Sequence, residues 1–247
     1  MSEKTKKTIL ITGANHGLGL SLVKTFLNHR YTVFAGVYKL TNDSQIQSVK
    51  DKDGLHIVDM DVSDTKSVEK AAGYISGITA SLEILINNAG ILCQDSFNKK
   101  SYTIFDKLDV DSMREVYDVN ALGALRVANA FTPLLMKGEE KLLINISSEA
   151  GSIMDCTVSD WHGYRMSKAA MNMAGVLIHN EYIKHGGKVW QIHPGWVQTY
   201  MHGDRYDIAD HTPEYAAENI FKLIQNAKSY ESGKAVYMDL FGDPWPW

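Results

Sequence analysis

Tyr164-Arg-Met-Ser-Lys168 sets a phenol and an ammonium four residues apart. On a helix, positions i and i+4 share a face, so both side chains project into one cleft. A free phenol titrates near about 10 and is protonated at neutral pH. A cation ~4 Å away in an effective dielectric of ~20 favours phenolate by about 4 kcal/mol, roughly 3 pKa units. Desolvation opposes this and makes the net lowering smaller. A phenol tuned in this direction exchanges a proton with an alcohol or a carbonyl near neutral pH. Taken alone, the pair reads as a surface Tyr–Lys pair. A second reactive group changes that. Ile144-Asn-Ile-Ser-Ser148-Glu-Ala-Gly151 leaves hydroxyls at the end of an apolar run, where a serine can hydrogen-bond a substrate oxygen as charge develops on it. Asn120, in Val119-Asn-Ala-Leu-Gly123, is a poor helix-interior residue. Its carboxamide bonds a main-chain carbonyl, or holds a water connected to Lys168, or simply marks a helix irregularity.

The elements that must position these groups follow from periodicity. Short apolar, β-branched runs occur at Thr8–Thr12, Thr32–Val37, Leu55–Val58, Glu83–Asn87, Leu142–Ser147, Lys188–His193 and Ala235–Asp239. Helical spacing lies between them, as in Leu18, Leu22, Phe26 and in Val116, Val119, Leu122, Leu125; the longest patterns are Ser112–Met136 and His162–His185. Strands alternating with helices predict an α/β fold, a single Rossmann-type doubly wound domain over residues 1–247. About seven parallel strands would be flanked by helices on both faces. Ligands then belong at the carboxyl ends of the strands.

Three segments fall at those ends. Thr12-Gly-Ala-Asn-His-Gly-Leu-Gly19 follows the first strand. Gly13 permits a tight turn, and Gly17 and Gly19 are expected to let a pyrophosphate approach the backbone and the helix start. Asn87-Asn88-Ala89-Gly90 closes the fourth strand, as a turn or as a wall beside a ribose. Asp61-Val62 follows the third and would face an adenine edge, with Ser63 as a candidate helix cap ahead of Lys66.

Together these features resemble the short-chain dehydrogenase/reductase family over nearly the whole chain, and within it the Sniffer-like and C-factor-like carbonyl reductases. The matching positions are Thr12, Gly13, Gly17 and Gly19; Asp61-Val62; Asn87 to Gly90; Asn120; Ser148; Tyr164; Lys168; and His193-Pro-Gly-Trp-Val-Gln-Thr199. Asn15, the Tyr164-Arg165 pair, Tyr237 and Trp247 carry the narrower likeness. The resemblance implies reversible hydride transfer between a nicotinamide and a small carbonyl or alcohol. Tyr164 would be general acid/base, Ser148 rather than Ser147 would stabilise the oxygen, Lys168 would lower the tyrosine pKa, and Asn120 would complete a proton relay. It also implies cofactor contacts from Thr12, Gly13, Asn15, His16, Gly17, Leu18, Gly19, Lys39, Asp61, Val62, Asn88, Ala89, Gly90, Tyr164, Lys168, Pro194, Gly195, Val197 and Thr199. Ala35-Gly-Val-Tyr-Lys39 has no carboxylate at the ribose-binding position, and Lys39 can pair with a 2′-phosphate; NADP is favoured over NAD. A homodimer or homotetramer is the family expectation.

Composition narrows the classes. The 247 residues are 45% hydrophobic and 22% charged with net charge −4, which argues against a disordered chain and against a nucleic-acid partner. Two cysteines, Cys93 and Cys156, suit a reducing compartment and no disulfide framework. Asn145-Ile-Ser147 matches the glycosylation pattern without a secretory signal ahead of it. No apolar run approaches a membrane span, so a cytoplasmic protein without membrane association is expected. The histidines show no metal pattern, and no metal is expected. The loop with Tyr200, His202, Asp204, Arg205, Asp207, Asp210 and His211 either covers a substrate pocket or is solvated. The aromatic tail Asp243-Pro-Trp-Pro-Trp247 is expected to pack on its own domain. The alternative function is a non-catalytic NAD(P)-sensing signalling protein; a methyltransferase is a third class.

Overall fold

A computed structural model describes residues 6–92, 102–199, 201, 208–230 and 233–247. Seven strands form one parallel sheet: β1 (Thr8–Thr12), β2 (Thr32–Val37), β3 (Leu55–Asp59), β4 (Ile84–Asn87), β5 (Leu142–Ile146), β6 (Lys188–Ile192) and β7 (Val236–Met238). Their spatial order is β3-β2-β1-β4-β5-β6-β7. Chain direction reverses its march between β1 and β4, and a crevice opens there at the carboxyl edge.

Each strand is apolar on both sides because helices cover both faces. Ile9, Ile11, Val33, Ala35, Ile84, Ile86, Ile144 and Ile192 pack on α1 (Gly17–Asn28) and α6 (Pro213–Gln225). Their alternates Leu10, Phe34, Leu85, Leu143 and Val189 pack on α2 (Thr65–Ser76) and α4 (Ala124–Leu135). Tyr182, at the end of α5 (His162–Tyr182), joins that second face. A buried side chain of this size contributes about 1.5–3 kcal/mol, so the period-2 pattern fixes which face each strand presents.

The long pattern expected from Ser112 to Met136 is interrupted. α3 (Val110–Tyr117) passes through a π turn at Asp118–Gly123 before α4 begins. Arg126 holds this turn to the loop after β3, with Nη2 3.0 Å from Asp118 Oδ1, Nη1 donating to Val62 O at 2.5 Å and Nε to Thr65 Oγ1 at 3.0 Å. The cap of α2 differs from expectation too. Asp64, not Ser63, accepts from Lys66 N–H at 3.1 Å. The Ser63 hydroxyl instead donates to Asp61 Oδ1 at 2.6 Å, because Asp61 draws both polar hydrogens of Ser63 into an Asx turn.

One polar row crosses the second face. Asn87, Asn145, Gln191 and Tyr237 are register partners on β4, β5, β6 and β7. Asn87 Nδ2 donates to Asn145 Oδ1, and Asn145 Nδ2 to Gln191 Oε1, each at 2.9 Å. The apparent glycosylation asparagine is thus a buried member of the sheet. Among the described residues, no helix is long and apolar enough to cross a membrane. Cys93 and residues Tyr200, His202, Asp204, Arg205 and Asp207 lie outside the described residues; Cys156 is exposed.

Candidate active site

The turn from β1 into α1 is shaped by close approach. Gly13 has φ +63, and a Cβ there would stand 2.8 Å from Ala89 Cα. At Gly19 a Cβ would lie 2.1 Å from Gly13 O, so its bare backbone lets the helix pack on its own entry turn. Thr12 and Asn88 tie the two strand ends together. Thr12 Oγ1 accepts from Asn88 N at 3.0 Å and Ala89 N at 3.1 Å, while Asn88 Nδ2 donates to Thr12 O and Gly13 O. Leu18 sends its side chain into the core, and Asn15 Oδ1 lies 3.5 Å from Ile46 N.

What this turn offers a ligand is a bare helix start. Asp64, Asp109 and Thr212 cap α2, α3 and α6 with side-chain oxygens, whereas His16 at the start of α1 supplies no side-chain cap. With no acidic residue in the first turn of α1, its N–H groups and dipole suit an anion such as a pyrophosphate. Thr199 lies beside Gly17, whose Cβ would be 3.5 Å from Thr199 Cγ2. Val197 bridges to His211 through the flanking groups: His211 N–H donates to Trp196 O and Gln198 N–H to His211 O. In parallel pairing this turns Val197's own N–H and C=O to the opposite side. Pro194 is buried, and Gly195 sits against the His211 ring. Lys39 stands past the end of β2 with Nζ 4.7 Å from the Tyr38 ring centroid, and Asp61 is its charged neighbour.

The second cluster joins β5 to α5. Ser147 is buried and donates to Asn172 Oδ1 at 2.6 Å, which leaves Ser148 as the hydroxyl facing the cleft. Ser148 Oγ accepts from Ala150 N–H at 3.2 Å and is a hydrogen-bonding neighbour of the Tyr164 phenol. Lys168, only 3% exposed, reaches behind Tyr164 with Nζ 5.6 Å from the ring centroid and donates to Ile146 O at 2.8 Å. Asn120 holds Ile91 on both sides, its Oδ1 accepting from Ile91 N at 2.8 Å and its Nδ2 donating to Ile91 O at 2.9 Å. The same Nδ2 donates to Ser167 Oγ at 3.0 Å. Of the readings open for Asn120, both the main-chain bond and the helix irregularity are present. Its carboxamide meets Lys168 only across the space over Gly90, where a Cβ would be 3.3 Å from Asn120 Oδ1 and 3.7 Å from Lys168 Nζ.

The electrostatics reverse one expectation. Burial pushes the Tyr164 phenol up to about 12, with Ser148 and Arg165 pulling down more weakly. Burial also pulls Lys168 down to about 8. Both groups are out of water, and burial, not their i, i+4 spacing, sets the direction of both shifts. The phenol is therefore a protonated donor, and the amine still carries its charge at neutral pH.

Three residues at this site were not singled out from the sequence for a role in it. Trp161 adopts a left-handed backbone, φ +57, at the entry to α5 and meets the Tyr164 ring edge-on at 6.2 Å. With Leu92, Ala150 and Met201 it forms an apolar wall around the phenol. The i, i+3 spacing of Trp161 and Tyr164 was its signal. The other two are Tyr237, whose hydroxyl donates to Ser148 O, and His193, whose Nδ1 accepts from Glu149 N–H. The tail turns back over them as expected: Trp245 N–H donates to Tyr237 O at 2.8 Å and Met154 N–H to Trp247 O at 2.8 Å.

A family model for the short chain dehydrogenases matches residues 7–208. The chain belongs to this family. It is an oxidoreductase. An uncharacterized oxidoreductase of Schizosaccharomyces pombe is 33% identical over 93% of this chain and 94% of its own length. Among solved structures, an NADPH-bound carbonyl reductase from chicken fatty liver superposes with TM-score 0.84 at 30% identity, covering 100% of this chain and 96% of its own. The carbonyl reductase Sniffer of D. melanogaster gives TM-score 0.84 at 29% identity, covering 98% and 100%. Two structural neighbours of this short-chain dehydrogenase are thus carbonyl reductases.

Proposed function

We propose that the protein is an NADPH-dependent reductase of small carbonyl compounds, working reversibly. The observation that carries this is the protonated Tyr164 phenol paired with the Ser148 hydroxyl in an apolar recess, with the buried Lys168 behind it. The α1 turn would hold the pyrophosphate of a nicotinamide dinucleotide, which when bound would supply the hydride. Ser148 hydrogen-bonds the carbonyl oxygen and orients it. Tyr164 gives that oxygen its proton, and the Lys168 charge favours the phenolate left behind. Trp161 and Leu92 keep water from the phenol.

The α1 turn, Val197, Thr199 and the loop at Ala89-Gly90 would hold the cofactor. Support for NADP over NAD comes from Lys39 just past β2, in a segment, Ala35 to Lys39, that itself carries no carboxylate, and from the NADPH bound in the chicken-liver neighbour. A homo-oligomer fits the exposed Met166, Met173 and Leu177, which share one face of α5.

The test is oxidation of NADPH and NADH, followed by absorbance, with a panel of aldehydes, ketones and diketones. Tyr164→Phe should bind NADPH as the wild type does and lose about 10²- to 10⁴-fold in turnover, the range for a positioned proton donor. A variant retaining more than a tenth of the rate would remove Tyr164 from the role.

A further inference from the structure

The peptide group joining Ser148 to Glu149 is gripped at both polar ends by side chains from outside its loop. Tyr237, 3% exposed on β7, donates its phenolic hydrogen to Ser148 O at 2.5 Å. His193, 9% exposed just past β6, accepts from Glu149 N–H through Nδ1 at 3.1 Å. A peptide plane fixed at its carbonyl and its N–H has no rotation left, and the Ser148 Cα that begins the plane is fixed with it. The Ser148 hydroxyl, which takes Ala150 N–H as a donor, then has two tetrahedral positions left for its own hydrogen.

We propose that Tyr237 and His193 are positioning residues that clamp the 148–149 peptide and thereby aim the Ser148 hydroxyl at the substrate oxygen. This rests on the reductase reading for its catalytic consequence. The clamp has its own supports. Tyr237 comes to Ser148 through the sheet register, opposite Gln191, so its place is fixed by β-pairing. Asn172 and Ser147 lie within hydrogen-bonding reach of its hydroxyl, and Asn172 Nδ2 grips the far end of the loop at Gly151 O, 3.2 Å away. Burial pushes Tyr237 up to about 12 and keeps it a donor. The tail packs both members: Trp247 lies 5.2 Å from the Tyr237 ring and Trp245 4.9 Å from the His193 ring.

Only an unprotonated Nδ1 can accept from Glu149 N–H, so the imidazole proton is on Nε2, 3.9 Å from Glu149 Oε2. The groups facing His193 are Glu149 from the clamped loop, Asp239 beyond β7, His211 and the Trp245 indole. Burial holds His193 below its ordinary value, with Glu149 and Asp239 opposing and His211 reinforcing. A second proton would set N–H against N–H and open the clamp, so it should fail on the acid side.

The experiment compares wild type with Tyr237→Phe, His193→Ala and His193→Asn, whose Oδ1 stands where Nδ1 stood. Turnover and KM would be measured from about pH 5 to 8, across the ordinary histidine range, with NADPH affinity and amide hydrogen exchange in segment 148–151. Tyr237→Phe and His193→Ala should each lower kcat about 10- to 100-fold, the scale of a small misplacement. NADPH affinity should hold, and exchange in the segment should quicken. His193→Asn should restore turnover and lose the acid limb. Wild-type kcat or unchanged exchange in Tyr237→Phe overturns the clamp, as does an acid limb kept by His193→Asn. If Tyr237→Phe does not fold, the two His193 variants carry the same readouts. If wild type oxidises NADPH with no carbonyl, the reductase reading falls, and the exchange rates still decide the clamp.

Discussion

The two ligand-facing corners of the sheet are built on opposite terms. At the β1–α1 turn, shape is decisive: Gly13 and Gly19 meet neighbouring backbone at distances that exclude a methyl group, and Thr12 and Asn88 lock the strand ends with neutral hydrogen bonds. At the β5–α5 corner, polarity is decisive: a lysine and two tyrosines are buried in a mesh of hydroxyls, carboxamides and carbonyl oxygens. The first corner should be intolerant of added volume and the second of changed charge. The protein thus separates holding a ligand from moving a proton.

The sharpest way to break that contrast is Gly19→Ala. Its Cβ would lie 2.1 Å from a backbone oxygen that cannot swing aside. Overpacking of this kind costs about 1–3 kcal/mol or more. We expect a lower melting temperature and loss of NADPH binding, checked by thermal unfolding and cofactor fluorescence. A variant of normal stability and affinity would show that shape does not govern this corner.

Lys168→Met tests the other corner, with the opposite sign for stability. The ordinary lysine value is 10.5, and the folded value is about 8. The unfolded chain therefore binds the extra proton between those values, and stability rises with pH through that window. Below about pH 8 the buried charge costs stability on the order of 3 kcal/mol. Replacing it with an apolar side chain of similar length should raise the melting temperature at neutral pH by several degrees while abolishing turnover. Calorimetry at pH 7 and 10 checks both the gain and its shrinkage at the higher pH.

The smallest effect concerns the rim of the first corner. Lys39→Glu places a carboxylate where a 2′-phosphate would lie and should shift the NADPH to NADH preference about tenfold towards NADH, read from kcat/KM for each. An unchanged ratio would take Lys39 out of cofactor choice.

How much was legible in the sequence follows the same division. All seven strands match the apolar runs to within one residue at both ends, because burial on two covered faces leaves a continuous apolar signature. The glycine turn was visible as a pattern, but the part Gly19 plays needed the distance to Gly13 O. The π turn around Asn120 showed only as a poor helix former, since nothing in residue type announces an extra residue per turn. The direction of the Tyr164 and Lys168 shifts could not be read from spacing, because desolvation depends on what covers the pair, and Leu92, Trp161 and Met201 are far apart in the chain. Tyr237 and His193 needed the register of β5, β6 and β7 before their relation to Ser148 appeared.

The amide row through Asn87, Asn145 and Gln191 has a consequence for assembly of the chain. In a parallel sheet each strand arrives by a separate crossover, so no hairpin turn dictates where it stops sliding. A slip of one position at β5 would carry Asn145 to the face of Ile144 and Ile146, among aliphatic side chains of α1 and α6. A slip of two would set it against a leucine or an unmatched group. Each stranded carboxamide costs about 1–3 kcal/mol, and the row penalises neighbouring pairs together. Mismatched docking of the central strands is thereby made to fail early, so that Ser148 is carried to one height along the sheet edge and no other.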